Sequence, residues 1–175
     1  MKRQKIKKKN NMTDTTKYPL GKIYAFDFDG TLTYRDSLLE FIRFAKGTKE
    51  FALCFLRFSP LLVLMKMGLY PNWKAKQKVF SYCFKGMPTA DFNATCAKER
   101  PRLLRPKGIK KLREVLAEGG KAIIISASIN NWVEPFFAGM PEIFVVGTMI
   151  EERDGVLTGR FLTKNCYGKE KVTRL

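Results

Sequence analysis

Lys22-Ile23-Tyr24-Ala25-Phe26-Asp27-Phe28-Asp29-Gly30-Thr31 is the stretch on which the fold turns. Residues 23–26 are β-branched, aromatic or small and predict a buried strand. Side chains two apart on a strand share a face, which aims Asp27 and Asp29 the same way. Gly30 permits a sharp turn directly after them, and Thr31 adds a hydroxyl to an otherwise acidic pocket. Two neighbouring carboxylates suit a division of roles, one ionised as nucleophile and metal ligand, the other carrying a proton. Alone, Asp-x-Asp-Gly would also fit an ordinary turn or a calcium loop; the apolar run ahead of it favours a site at a strand end.

Downstream, about ninety residues pass before the next strong strand, far more than a simple crossover between parallel strands requires. An inserted helical unit is therefore expected. Ser37 to Phe44 carries clustered apolar residues at helical spacing with Gly47 as a stop, and Phe51 to Leu69 is a second, very apolar stretch. Trp73 to Phe84 and Ala90 to Leu104 predict further helices, bounded by Pro71, Gly86-Met87-Pro88 and Pro101. Gly108 to Glu118 then reads as an amphipathic helix ending at Gly119-Gly120, followed by a strand from Lys121 to Ser126. A helix over Ile129 to Phe137 and a strand over Ile143 to Val146 complete the β-α-β pattern. Thr148 to Glu152 and Val156 to Phe161 form a hairpin about Asp154-Gly155. The fold class is α/β: a Rossmann-like parallel sheet with helices on both faces and an inserted α-helical cap, the acidic site lying at the carboxyl ends of the strands. The expected boundaries are a basic tail over 1–21, a core over 22–35 and 108–175, and a cap over 36–107.

Composition narrows the chemistry. The 175 residues contain no histidine, which excludes Ser-His-Asp hydrolysis and His-Glu-x-x-His zinc sites. Ser126 and Ser128 also lack the flanking glycines of a nucleophile elbow. Cys54, Cys83, Cys96 and Cys166 are scattered without a Cys-x-x-Cys pair and read as reduced, mostly buried thiols of a cytoplasmic protein. The formal net charge of +17 is concentrated partly in Lys2, Arg3, Lys5, Lys7, Lys8 and Lys9. Asn10 to Asp14 follow instead of the apolar run of a signal peptide, and Met12 is an alternative start. A solvated tail is the simplest reading, with an anionic membrane or a nucleic acid as the alternative contact. Lysines without interleaved aromatics predict no specific nucleic acid site.

Three ordered segments together resemble the haloacid dehalogenase superfamily, in its phosphoserine phosphatase-like branch. They are Asp27-Phe28-Asp29-Gly30-Thr31, Ile123-Ile124-Ile125-Ser126-Ala127-Ser128, and Gly168-Lys169-Glu170-Lys171. The resemblance implies that Asp27 attacks phosphorus to form an aspartyl-phosphate, that Asp29 is the general acid and base, that Ser126 hydrogen-bonds the phosphoryl group and that Lys171 neutralises its charge. It implies Mg²⁺ bound by the Asp27 carboxylate and the Asp29 backbone carbonyl. Thr31, Asp36 and Ala127 are expected at the substrate. Spacing does not separate Lys169 from Lys171, and without the resemblance Ser126 would read as structural, with Ser128 as a helix cap. Asp36 stands where phosphoserine phosphatases usually carry an amine-reading glutamate, and the chain looks more like bacterial phosphatidylglycerophosphate phosphatases. The implied substrate is a small or lipid phosphate monoester.

The resemblance also leads us to expect a fourth, acidic motif, and the sequence ends at Leu175 before one. The corresponding expectation is a fragment of a longer enzyme, or a truncated, non-catalytic remnant that binds an anionic partner. For Phe51 to Leu69, Arg57, Pro60 and Lys66 interrupt the twenty or so apolar residues that a membrane span needs. A buried cap helix is the simplest expectation, and a lipid-facing interfacial helix is the alternative.

Overall fold

The structure, a computed structural model, describes residues 21–98, 101–166 and 168–174. The expected basic tail lies, apart from Gly21, outside the described residues. Three parallel strands, β1 (Ile23–Asp27), β2 (Lys121–Ile129) and β3 (Ile143–Thr148), form a sheet in the order β1-β2-β3. Pairing places Asp27 opposite Ile125 and Ile125 opposite Val146. The apolar run of β2 is buried at Ala122, Ile124 and Ile125, as a central parallel strand requires. Beyond Ile125 the β2–β3 pairing slips until Ile129. Ser126, Ala127 and Ser128 thus lie where the ladder is irregular, at the same end of the sheet as Asp27.

Between β1 and β2 run α1 (Ser37–Lys66), α2 (Asn72–Phe84), α3 (Thr89–Cys96) and α4 (Pro106–Ala117). Gly47 breaks helical geometry within α1 (φ 82°, ψ 168°), a conformation open to glycine, and the helix then resumes through to Lys66. Pro60 lacks the N–H that would bond the Leu56 carbonyl; the Ser59 hydroxyl donates to that carbonyl instead, at 2.9 Å. The helix expected over Ala90 to Leu104 ends at Cys96, and a separate short turn follows over Pro101–Leu103. Among the described residues no helix is long and apolar enough to cross a membrane.

After β2 the chain makes one helical turn, α5 (Asn130–Val133), which tightens over Glu134–Phe137 at Pro135. The helix is shorter than expected because β2 continues through Ile129. Strands β4 (Ile150–Arg153) and β5 (Val156–Phe161) form the expected antiparallel hairpin, with positive φ at both Asp154 (53°) and Gly155 (75°). The last element is α6 (Lys169–Thr173).

An aromatic cluster ties these layers together. Phe41 of α1 stacks on Trp132 of α5 at 4.7 Å and meets Phe84 of α2 and Phe92 of α3 at 5.6 and 5.5 Å. All four rings are essentially buried, each burial stabilising by about 1.5–3 kcal/mol. The hairpin joins through Phe161, which faces Phe80 at 5.7 Å and whose N–H donates to Gln77 Oε1.

Candidate active site

β1 stops at Asp27, so strand alternation does not carry through to Asp29. Phe28–Leu32 instead make a wide turn, closed where Thr33 N–H donates to the Phe28 carbonyl at 3.1 Å. Gly30 within it has φ 77°. The hydroxyl that knits this turn belongs to Thr33, which is buried, accepts from Gly30 N–H and sits 2.8 Å from the Arg35 carbonyl. Thr31 is exposed and is not among the residues lining the cavity described below. α4 braces the turn from behind: a Cβ on Gly108 would lie 2.7 Å from the Thr31 carbonyl, so glycine permits this close approach.

Despite the turn, Asp27 and Asp29 line one cavity of about 710 Å³. Ala127 and Lys171 line its polar end with them, and Leu62, Val63 and Val79 are among its apolar wall residues. Asp27 Oδ1 accepts from Phe28 N–H at 2.8 Å and pairs with Lys171 Nζ at 2.6 Å. Lys171, not Lys169, thus makes this ion pair. Its helix is only five residues long and is held by Arg174, whose guanidinium pairs with Glu170 (3.0 Å) and donates to the carbonyls of Gly147 (2.7 Å) and Lys164.

Asp29 sits in a different environment. Its Oδ1 accepts from Ser37 N–H at 2.7 Å, and its Oδ2 from the hydroxyls of Ser128 (2.7 Å) and Ser126 (3.2 Å). Ser126 also accepts from Ser128 N–H. Ser128 does not cap α5, whose N-cap is Ile129 with no side-chain cap. Its hydroxyl lies 2.6 Å from that of Ser37, which accepts from Trp132 Nε1 at 3.3 Å. With Asp29 as a carboxylate the bond directions follow. Trp132 can only donate and Asp29 only accept, so the chain runs from Trp132 to Ser37 to Ser128 to Asp29. Ser37, Ser128 and Trp132 were not among the expected site residues; the apolar-to-hydroxyl change at the end of β2 marks Ser128, but nothing in the sequence links it to Ser37.

Asp36 lines the cavity while its carboxylate caps α1, accepting from Leu38 and Leu39 N–H. Among the described residues both contacts to Asp27 fall on Oδ1, leaving Oδ2 as a hard oxygen donor of the kind Mg²⁺ takes. Among the described residues no group of three or more His, Cys, Asp or Glu could hold a metal ion. Mg²⁺ is commonly held by one or two carboxylates with water and substrate phosphate completing the shell, so the donor set fits that mode of binding.

A parallel sheet carrying paired carboxylates and a lysine at the strand ends is the architecture of the haloacid dehalogenase-like hydrolases. Residues 24–175 match that family, and the chain belongs to it. Protein CicA of Caulobacter vibrioides (strain NA1000 / CB15N) is 34% identical over 158 residues, 87% of this chain and 70% of CicA. A haloacid dehalogenase family hydrolase from Salmonella enterica subsp. enterica serovar Typhi shares the fold, with a TM-score of 0.66 and 22% identity over 89% of this chain. The present chain spans 50% of that protein's length. A phospho-aspartyl intermediate analogue of phosphoserine phosphatase also shares the fold, with a TM-score of 0.55 and 17% identity over 82% of this chain and 63% of its own.

Proposed function

We propose that the chain is a Mg²⁺-dependent phosphomonoester hydrolase acting through an aspartyl-phosphate on Asp27. The observation that carries this reading is the Asp27–Lys171 pair at 2.6 Å, beside Asp29 at the polar end of a large cavity. Asp27 attacks phosphorus, the ester oxygen leaves with a proton from Asp29, and water then attacks the phosphoryl group while returning a proton to Asp29. Inorganic phosphate departs and both carboxyl groups are restored. Lys171 offsets charge on the phosphoryl oxygens, and Ser126 hydrogen-bonds the same group once its hydroxyl turns from Asp29 to the seated substrate. The Asp27 carboxylate and the Asp29 backbone carbonyl would hold Mg²⁺, which would supply further charge neutralisation when bound.

The walls of the cavity support a substrate with an apolar portion attached to its phosphate. Residues 51–90 supply much of that wall and contain no carboxylate, so an amine-bearing substrate has no counter-charge there. The remaining carboxylate of the lining, Asp36, stands at the start of α1, where its Oδ1 accepts from backbone amides, apart from the apolar wall of residues 51–90. This supports a phosphate monoester with a hydrocarbon or lipid tail over phosphoserine.

With Mg²⁺ present, phosphate release from an aryl phosphate is expected to vanish in Asp27→Asn while the fold, followed by circular dichroism, is retained. Equal turnover in the variant would refute the assignment. A second reading is binding of a phosphorylated ligand without turnover, with Lys171 at the polar end of the cavity as the cation that meets the phosphate. Calorimetry separates the two: that reading requires no Mg²⁺ uptake and no turnover.

A further inference from the structure

The turn joining α1 to α2 carries apolar side chains that the fold does not cover. Met67 is 65% exposed and Leu69 68%, with Val63, Leu64 and Trp73 also exposed beside them. A helical hairpin turn made of soluble surface would be polar; this one exposes Val63, Leu64, Met67, Leu69 and Trp73 within one short stretch of chain. Charge along this stretch of chain has one sign. Residues 51–90 hold six Lys or Arg and no Asp or Glu, and the acidic residues of α1, Glu40 and Glu50, precede that stretch. Lys66, Lys74 and Lys78 are exposed close to the turn in sequence. Lys74 lies over the Trp73 ring at 5.5 Å and Lys78 over Tyr70 at 5.7 Å, which sets ammonium groups beside aromatic rings.

We propose that this turn is a docking surface for an anionic lipid bilayer. Apolar tips enter the acyl boundary, Trp73 and Tyr70 sit at headgroup depth, and the flanking lysines meet lipid phosphates. The occupant is a bilayer because the apolar residues protrude from a helix-to-helix turn, whereas a peptide or protein groove is concave. The uniform positive charge selects an anionic bilayer over a neutral one. Val63 and Lys66 also line the cavity, so docking brings the cavity wall to the lipid surface. The docking itself does not depend on how the cavity is read chemically.

The test uses the full chain and sedimentation with vesicles of phosphatidylcholine alone or mixed with phosphatidylglycerol. At about 0.1 M salt the wild type is expected to bind the mixed vesicles and not the neutral ones. Met67→Ser with Leu69→Ser should weaken binding on the order of tenfold or more. Because both side chains are largely exposed, these substitutions remove little packing, and a native far-ultraviolet spectrum is expected. Lys74→Gln with Lys78→Gln should weaken binding to the mixed vesicles by a similar order and lower its salt sensitivity. Brominated lipid should quench Trp73; Trp132 is 1% exposed and shielded. Wild-type affinity in Met67→Ser/Leu69→Ser, with tryptophan emission unquenched, would assign any binding to the basic residues 2–9 and overturn the proposal. Failure of the wild type to bind the mixed vesicles, or equal binding to neutral ones, would overturn it as well.

Discussion

Ser37 and Ser128 together offer the sharpest check on the site. Removing the Ser128 hydroxyl deletes a bond to a carboxylate at 2.7 Å and takes away the acceptor for Ser37. A bond to a charged group contributes about 1.5–3 kcal/mol, and Ser37 is buried, so Ser128→Ala should cost about 2–3 kcal/mol. Ser37→Ala leaves Trp132 Nε1, on a buried ring, without that acceptor and withdraws the donor from Ser128, at about 1–3 kcal/mol. Both variants break the Ser37–Ser128 bond, so the double variant should cost about 1–2 kcal/mol less than the sum of the singles. Urea unfolding followed by circular dichroism measures all three. Turnover of an aryl phosphate should fall in each, since Asp29 loses part of what fixes its orientation. Additivity to within about 0.5 kcal/mol would show that the two hydroxyls do not act as one directed chain, and would refute the reasoning.

Lys171→Met should lower turnover on the order of 10²–10³-fold. It should change stability by less than about 1 kcal/mol in a urea melt, because Lys171 is 22% and Asp27 45% exposed and the pair is screened by solvent. Arg174→Lys cannot span the carbonyls of Gly147 and Lys164 at once, so α6 should loosen at a cost of about 1–3 kcal/mol, and turnover should fall through the displacement of Lys171. Restored turnover on adding back the guanidinium fork in a revertant, with an unchanged Asp27, would separate this positioning effect from general damage. Burial, reinforced by the neighbouring Cys54 sulfur at 3.6 Å, pushes the Cys83 thiol from an ordinary 9.0 up to about 12. The folded chain therefore keeps a proton that the unfolded chain releases. The associated stability is present below pH 9 and is lost as pH rises towards 12, and Cys83→Ala should flatten that decline in unfolding midpoints.

The strands were legible because the β-branched run over Ile123 to Ile125 and the apolar run over Ile23 to Phe26 have few other uses, and Asp154-Gly155 is a strong hairpin signal. β1 is nevertheless less buried than expected, with Ile23 60% exposed, because it lies at the edge of the described sheet. Helix ends were less so. Cys96 ends α3 well before Leu104, and β2 overruns its expected end at Ser126 by three residues to Ile129. Asp27 and Asp29 were visible as a pair, although the shared direction expected from strand alternation does not apply once β1 ends at Asp27. The convergence of Ser37 with Ser128 was not readable, because the two are 91 residues apart and meet only after α1 folds back over β2. Lys171 needed the resemblance, since a lysine in a five-residue helix has no periodic signature. Asp36, an expected substrate reader, lines the cavity and also caps the start of α1 through Oδ1, a second task that its sequence position does not announce.

The cavity draws its parts from two sources. Asp27, Asp29, Ala127 and Lys171 come from β1 and the turn behind it, from β2 and from α6, whereas Leu62, Val63, Met65, Ala75 and Val79 come from α1 and α2. Reactivity and selectivity are therefore inherited on separate stretches of chain. Because Ser37 at the start of α1 holds Asp29, an exchange confined to residues 62–79 is the one that leaves the reacting groups untouched, and a library there is the economical route to new specificities on this scaffold.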